Sequence, residues 1–203
     1  LAYIHLFLAL AFRIIPRLRK YLGAKFEERF AFELKNSNDH ACESFFLSNK
    51  RATVCFQLSS EGEYEQVRWL VEELVHQQHL VEIVFTSPSV EHKIVQLQKN
   101  HQQQVRILRT PIVTISTKDL SHWITAPKII MVRYDFYPMF MTLFQKKELI
   151  LIWFFRPSDK RGMYSVIKWS LILPSLDFVI ASNSEDWWWL HNRMNYKKLL
   201  PSP

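Results

Sequence analysis

The residues best suited to chemistry lie in one short run, Ser59-Ser60-Glu61-Gly62-Glu63. It follows Thr53-Val54-Cys55-Phe56-Gln57-Leu58, a mostly apolar run of strand-favouring residues. After it, Val67, Leu70, Val71, Leu74 and Val75 recur at helical spacing, giving one apolar face to lay on a sheet. The pattern predicts a buried strand, a polar turn, and a helix from Tyr64 to Gln78 whose first turn carries acids. In open α/β sheets, ligands bind beyond the carboxyl ends of strands, so the turn occupies the position of a site. A carboxylate there, Glu63, can act as a general base toward a hydroxyl. The same residues also match a capping box, Ser60-x-x-Glu63, in which Glu63 returns to the Ser60 amide. The helix dipole favours an ionised Glu63 in either role. Glu61 is the competing acid, and Gly62 between the two lets a ligand approach the backbone.

Other candidates are spread along the chain. Arg133 and Asp135 end a predicted buried strand and are placed either to bind sugar hydroxyls or phosphate, or to pair with each other. Arg156, before Pro157 and close to Lys160 and Arg161, belongs either to a site or to a solvated basic face. His76 and His79 share a helix three residues apart with no further ligand nearby, so no metal is expected. There is no Gly-rich phosphate loop, no Gly-x-Ser-x-Gly and no Cys-x-x-Cys. The run Trp187-Trp188-Trp189 suits a neighbouring domain or a membrane interface, although ordinary core and helix packing could absorb two of the three.

The elements that must position these residues alternate. Strands are expected at 53–58, 81–86, 105–108, 128–133, 149–155 and 177–181. Helices are expected over 64–78, 90–99, the stretch to about 147, the stretch to about 173, and a last one capped by Ser184, with one turn near 119–123. This rhythm predicts an α/β fold: a Rossmann-like, mostly parallel sheet with helices on both faces. The turns Ser59–Glu63, Ser87–Ser89, Arg133–Asp135 and Arg156–Lys160 should then gather along one edge of the sheet.

Composition narrows the partners. A hydrophobic fraction of 48% with 14% aromatics excludes disorder, and only 3 Gly in 203 residues argue against a loop-rich fold. A net charge of +7 favours anionic partners. The aromatics form no RNP box and there is no zinc-finger spacing, which disfavours nucleic acid. Cys42 and Cys55 imply no disulfide framework. Residues 1–25 open with an apolar run, Leu1–Ala11, followed by Arg13, Arg17, Arg19 and Lys20. That run is short of the ~20 residues a membrane span needs. It reads as an interfacial helix on an anionic leaflet, with a soluble core helix as the alternative.

Taken together, these stretches resemble the N-terminal domain of 3-deoxy-D-manno-octulosonic acid (Kdo) transferases. The resemblance rests on the hydrophobic and basic start, the Ser60-Glu61-Gly62-Glu63 turn and Phe85-Thr86-Ser87-Pro88-Ser89. It continues in Val132-Arg133-Tyr134-Asp135-Phe136-Tyr137-Pro138, Phe155-Arg156-Pro157 and the stretch from Asp177 to Ser184. It implies a membrane-associating segment over 1–25 and an acceptor-binding Rossmann-like domain over 26–203. A separate C-terminal domain would bind the donor CMP-Kdo, together making a GT-B glycosyltransferase, with no further cofactor. Glu63 would be the catalytic base, and Ser59, Ser60, Gly62, Arg133, Asp135 and Arg156 would line the acceptor side. The acceptor would be a lipid A precursor and the location the cytoplasmic face of a bacterial inner membrane. Glu61, Tyr137, Trp153 and Trp187 to Trp189 depart from the family's usual choices. A non-catalytic, membrane-associated lipid- or anion-binding module on the same scaffold is the alternative. A soluble nucleotide-binding domain is weaker, for want of a Gly-rich turn.

Overall fold

The computed structural model describes residues 51–109, 123–132, 148–153, 169–170, 172–181 and 183–200. The segment 1–25 and the candidates Arg133, Asp135 and Arg156 lie outside the described residues. So do Lys160, Arg161 and most of the turn expected near 119–123.

Strand β1 (Val54–Leu58) is followed by α1 (Glu61–His76), β2 (Val81–Phe85), α2 (Pro88–Asn100) and β3 (Val105–Arg109). Further on come β4 (Lys128–Val132), β5 (Glu148–Trp153) and β6 (Phe178–Ala181). A five-residue helix α3 (Ser184–Trp188), a π turn over Trp189–Arg193 and a short β7 (Leu199–Leu200) close the chain. The seven strands among the described residues form one sheet in the order β3-β2-β1-β4-β5-β6-β7. Every neighbouring pair is parallel. This is the Rossmann-like α/β arrangement expected from the sequence, extended by a seventh strand that the sequence pattern did not reveal. Two leucines are too short a run to announce a strand.

The strand order has a direct consequence. The chain runs outward from β1 to β2 to β3, then returns to the other side of β1 to begin β4. Right-handed crossovers therefore put the helices of the two halves on opposite faces. The α1–α2 face buries Val54, Phe56 and Leu58 of β1 against Tyr64, Val67, Val71 and Val75 of α1. The other face buries Cys55, Ile129 and Met131 against Trp169, Ile172, Trp189 and Leu190. Alternate residues of β1 thus serve opposite cores, as the two-residue period of a strand requires. Each large apolar side chain so buried stabilises the fold by about 1.5–3 kcal/mol.

Helix α1 ends in a Schellman turn. The His79 amide donates to Leu74 O at 2.9 Å and the Gln78 amide to Val75 O at 2.9 Å. This places Gln78 at φ 64°, the left-handed region where a Cβ is costly. Replacing Gln78 with glycine is expected to raise the melting temperature by roughly 2–4 °C, about 1 kcal/mol at this chain length. An unchanged or lower value in a thermal melt would refute the argument.

One detail at the C-terminal end corrects the sequence reading. Asn183, not Ser184, caps α3: its Oδ1 accepts from the Asp186 amide at 2.8 Å. An Asn side chain accepts as well as a Ser, and it stands one residue earlier, so the helix begins at Ser184. Only Trp189 of the tryptophan run enters the core, while Trp187 and Trp188 stay 38% and 60% exposed. The helix is short and turns a single side inward, so the core absorbs one of the three rings. Trp187 stacks on His191 at 4.7 Å, so core and helix packing together take up two of the three rings, as the sequence allowed. Among the described residues, no helix is long and apolar enough to cross a membrane.

Tyr196 reports on the β6–β7 packing. Its hydroxyl donates to Leu176 O at 3.0 Å, and burial, with Asp177 adding negative charge, pushes the phenol up to about 12. The folded state holds this proton more tightly than the unfolded chain does. Its contribution is complete below the ordinary tyrosine value near 10 and is lost as pH rises from there through about 12. A tyrosinate absorbance titration, compared with Tyr196→Phe, should show one phenol titrating late. Identical curves would count against the packing.

Candidate functional site

In an open parallel sheet the strand order reverses between β1 and β4, and the crevice beyond their carboxyl ends is where ligands bind. The run Ser59-Ser60-Glu61-Gly62-Glu63 emerges there. Ser60 lies in extended conformation as the N-cap of α1, and its Oγ accepts from the Glu63 amide at 3.4 Å. That half of the predicted capping box is present. The other half is displaced by one residue: the Glu63 Oε2 accepts from the Ser59 amide, not from Ser60. The carboxylate thus reaches back past the cap to the first residue of the turn, tying the end of β1 to the start of α1.

Glu63 is 3% exposed and Ser59 8% exposed. A carboxylate so enclosed at a helix N-terminus is stabilised by the macrodipole and by charge-assisted hydrogen bonding. The two acids of the turn part company. Glu61 pairs with Lys93 of α2 at 2.8 Å, and Lys93 also bonds Glu65. These bonds hold Lys93 above its ordinary range and Glu65 below its own. Glu61 is thereby drawn toward the β2–β3 half of the molecule, away from the crevice beside β4. The partner that draws Glu61 aside is a lysine thirty-two positions along the chain.

The turn after β2 is adjacent. The Thr86 amide donates to Leu58 O at 3.2 Å, so the β1–β2 ladder runs to the very edge. Ser87 caps α2, accepting from the Ser89 amide at 3.3 Å, with Pro88 in the first turn where a missing N–H costs nothing. The turns Ser59–Glu63 and Ser87–Ser89 thus leave neighbouring strands at the same edge of the sheet, while the turns at 133–135 and 156–160 lie outside the described residues.

Two polar residues of this edge escaped the sequence reading. Arg109 ends β3 and pairs with Glu91 of α2 at 3.0 Å while almost fully buried. Gln57, in the penultimate position of β1, is 0% exposed, and its Nε2 donates to Ser59 Oγ at 3.2 Å. A glutamine inside an otherwise apolar parallel strand was the available signal.

At the opposite, amino-terminal end of the sheet, Glu82 of β2 is 0% exposed. Its carboxylate accepts from Arg106 Nη2 (3.1 Å), Thr125 Oγ1 (2.8 Å), the Thr125 amide (2.9 and 3.0 Å) and the Ala126 amide (3.1 Å). The Arg106 guanidinium also lies over the Trp123 ring, 3.9 Å from its centroid. This saturated carboxylate clasps the segment leading into β4 onto β2, a structural role. His79 sits against the Thr53 hydroxyl at 3.4 Å. Among the described residues no cluster of three His, Cys, Asp or Glu is placed to hold a metal ion. No protein-family model matches the chain, and no curated protein matches it.

Proposed function

We propose that this chain is the N-terminal, acceptor-binding domain of an inverting GT-B glycosyltransferase that moves Kdo from CMP-Kdo to a lipid A precursor. The observation that supports this reading best is the enclosed Glu63 carboxylate, 3% exposed, at the switch point of a parallel sheet. In the proposed reaction Glu63 takes the proton from a glucosamine hydroxyl as the oxygen attacks the anomeric carbon of CMP-Kdo. The new glycosidic bond forms as the bond to the phosphate oxygen breaks, and CMP leaves. Ser59, Ser60 and Gly62 border the base. By resemblance, Arg133, Asp135 and Arg156 complete the acceptor side. The segment 1–25 and the net charge of +7 would hold the protein on the anionic cytoplasmic leaflet of the inner membrane. A second domain would hold the donor.

The Glu63–Ser59 bond also favours a second reading, a non-catalytic lipid- or anion-binding module in which Glu63 only secures the turn. Glu63→Gln separates them, because glutamine keeps an acceptor for the Ser59 amide and removes the base. Transfer by the variant, measured with the donor-binding domain present, is lost under the first reading. Under the second, binding to anionic vesicles containing lipid A survives the change.

A further inference from the structure

We infer that Gln57 reads the ligand: its side-chain amide holds a sugar hydroxyl of the acceptor at the β1–α1 turn. The sugar identity rests on the function proposed above, whereas the hydroxyl chemistry rests on the amide itself. A glutamine amide offers two donors and a carbonyl acceptor. Among the described residues, the Gln57 amide makes one hydrogen bond, to Ser59, and its Oε1 has no partner. The side chain is 0% exposed. Glu82, equally buried, shows the usual outcome, a polar group saturated by its own protein. Gln57 departs from that rule at the very place where the fold puts ligands.

Its position favours a ligand as the missing partner. Gln57 pairs in register with Met131 of β4, so it stands on the strand beside the crevice. Its amide reaches Ser59, the residue whose backbone N–H also holds Glu63. Amide and carboxylate thus bond the same residue, one at its hydroxyl and the other at its backbone N–H. The kind of group follows from the chemistry of Ser59. A serine hydroxyl donates and accepts, so the Gln57 amide can turn over without losing that bond, leaving either a carbonyl or an NH2 group spare. A ligand hydroxyl satisfies both orientations. A phosphate oxygen satisfies only one, and an ammonium only the other.

The test titrates the deacylated glucosamine disaccharide of lipid A, and a panel of its monodeoxy analogues, into the full chain and into Gln57→Met. Methionine keeps the unbranched shape of glutamine and removes the amide. The variant should melt at or above the wild-type temperature, since it deletes an unsatisfied buried atom. It should bind the parent sugar about 10-fold more weakly. One analogue should bind the wild type about 10-fold more weakly and lose nothing further in the variant, the signature of coupled groups. Parent affinity unchanged in Gln57→Met, or equal affinity of the wild type for every analogue, overturns the inference and leaves the proposed function standing. The second comparison uses only wild-type protein, so the inference can be overturned even if the variant does not fold. Failure of the wild type to bind the parent sugar overturns both.

Discussion

Glu63→Gln is expected to lower transfer by about 10²–10⁴-fold, the range that a positioned general base contributes. The fold should survive. Glutamine keeps an oxygen for the Ser59 amide, so the lock between β1 and α1 persists as a neutral hydrogen bond in place of a charge-assisted one. Loss of the charge at the helix N-terminus adds a small penalty, and together these should lower the melting temperature by only a few degrees. Glu63→Ala makes the contrast. It removes the acceptor and leaves the amide of Ser59, itself 8% exposed, without that partner, at a cost of about 1–3 kcal/mol. If Glu63 only secures the turn, Gln should behave nearly as wild type and Ala alone should be impaired. If it is the base, both variants lose transfer and only Ala loses substantial stability. Transfer by Glu63→Gln within a few-fold of wild type would remove Glu63 from the chemistry.

Glu82→Ala should destabilise the fold by about 3–5 kcal/mol, more than either substitution of Glu63. The change strips Arg106, whose side chain is only 12% exposed, of an ionic partner where little water reaches it. It also removes the acceptor for the Thr125 and Ala126 amides, and with them the clasp between β2 and the segment entering β4. Against a typical domain stability of about 5–15 kcal/mol this is a large fraction. The melting temperature should fall by roughly 6–20 °C. Glu82→Gln, which retains shape and one acceptor, should lose less. A fall of under about 2 °C for Glu82→Ala would show that the clasp is dispensable. The substitution lies at the amino end of the sheet, opposite the Ser59–Glu63 turn. Below its melting temperature the variant should therefore still bind what the wild type binds.

These two carboxylates mark how far the residues speak for themselves. The Ser60-Glu61-Gly62-Glu63 turn stood out because its neighbours on both sides carry clean patterns, a strand-favouring run in β1 and a helical period in α1. Glu82 stood in an equally clean strand and passed unremarked. Its meaning depends on Thr125 and Ala126, more than forty positions further on. Distance in sequence also hid the choice between Glu61 and Glu63. Nothing near the turn says that Lys93 will come alongside α1 and draw Glu61 away.

Local pattern alone determined the alternation of strands and helices and, through it, the parallel α/β sheet and the placing of the Ser59–Glu63 turn at a strand's carboxyl end. Such features depend on side-chain period and backbone preference within a few residues, and these are present in any short window of the chain. The strand order, the seventh strand, the one-residue shift of the Glu63 bond to Ser59 and the Gln57–Ser59 hydrogen bond were decided only in the tertiary structure. Each of them is settled by which polar groups are left to find one another once the two apolar faces of the sheet are covered. That outcome belongs to the packed molecule, because a buried donor or acceptor takes the partner that the fold brings within reach.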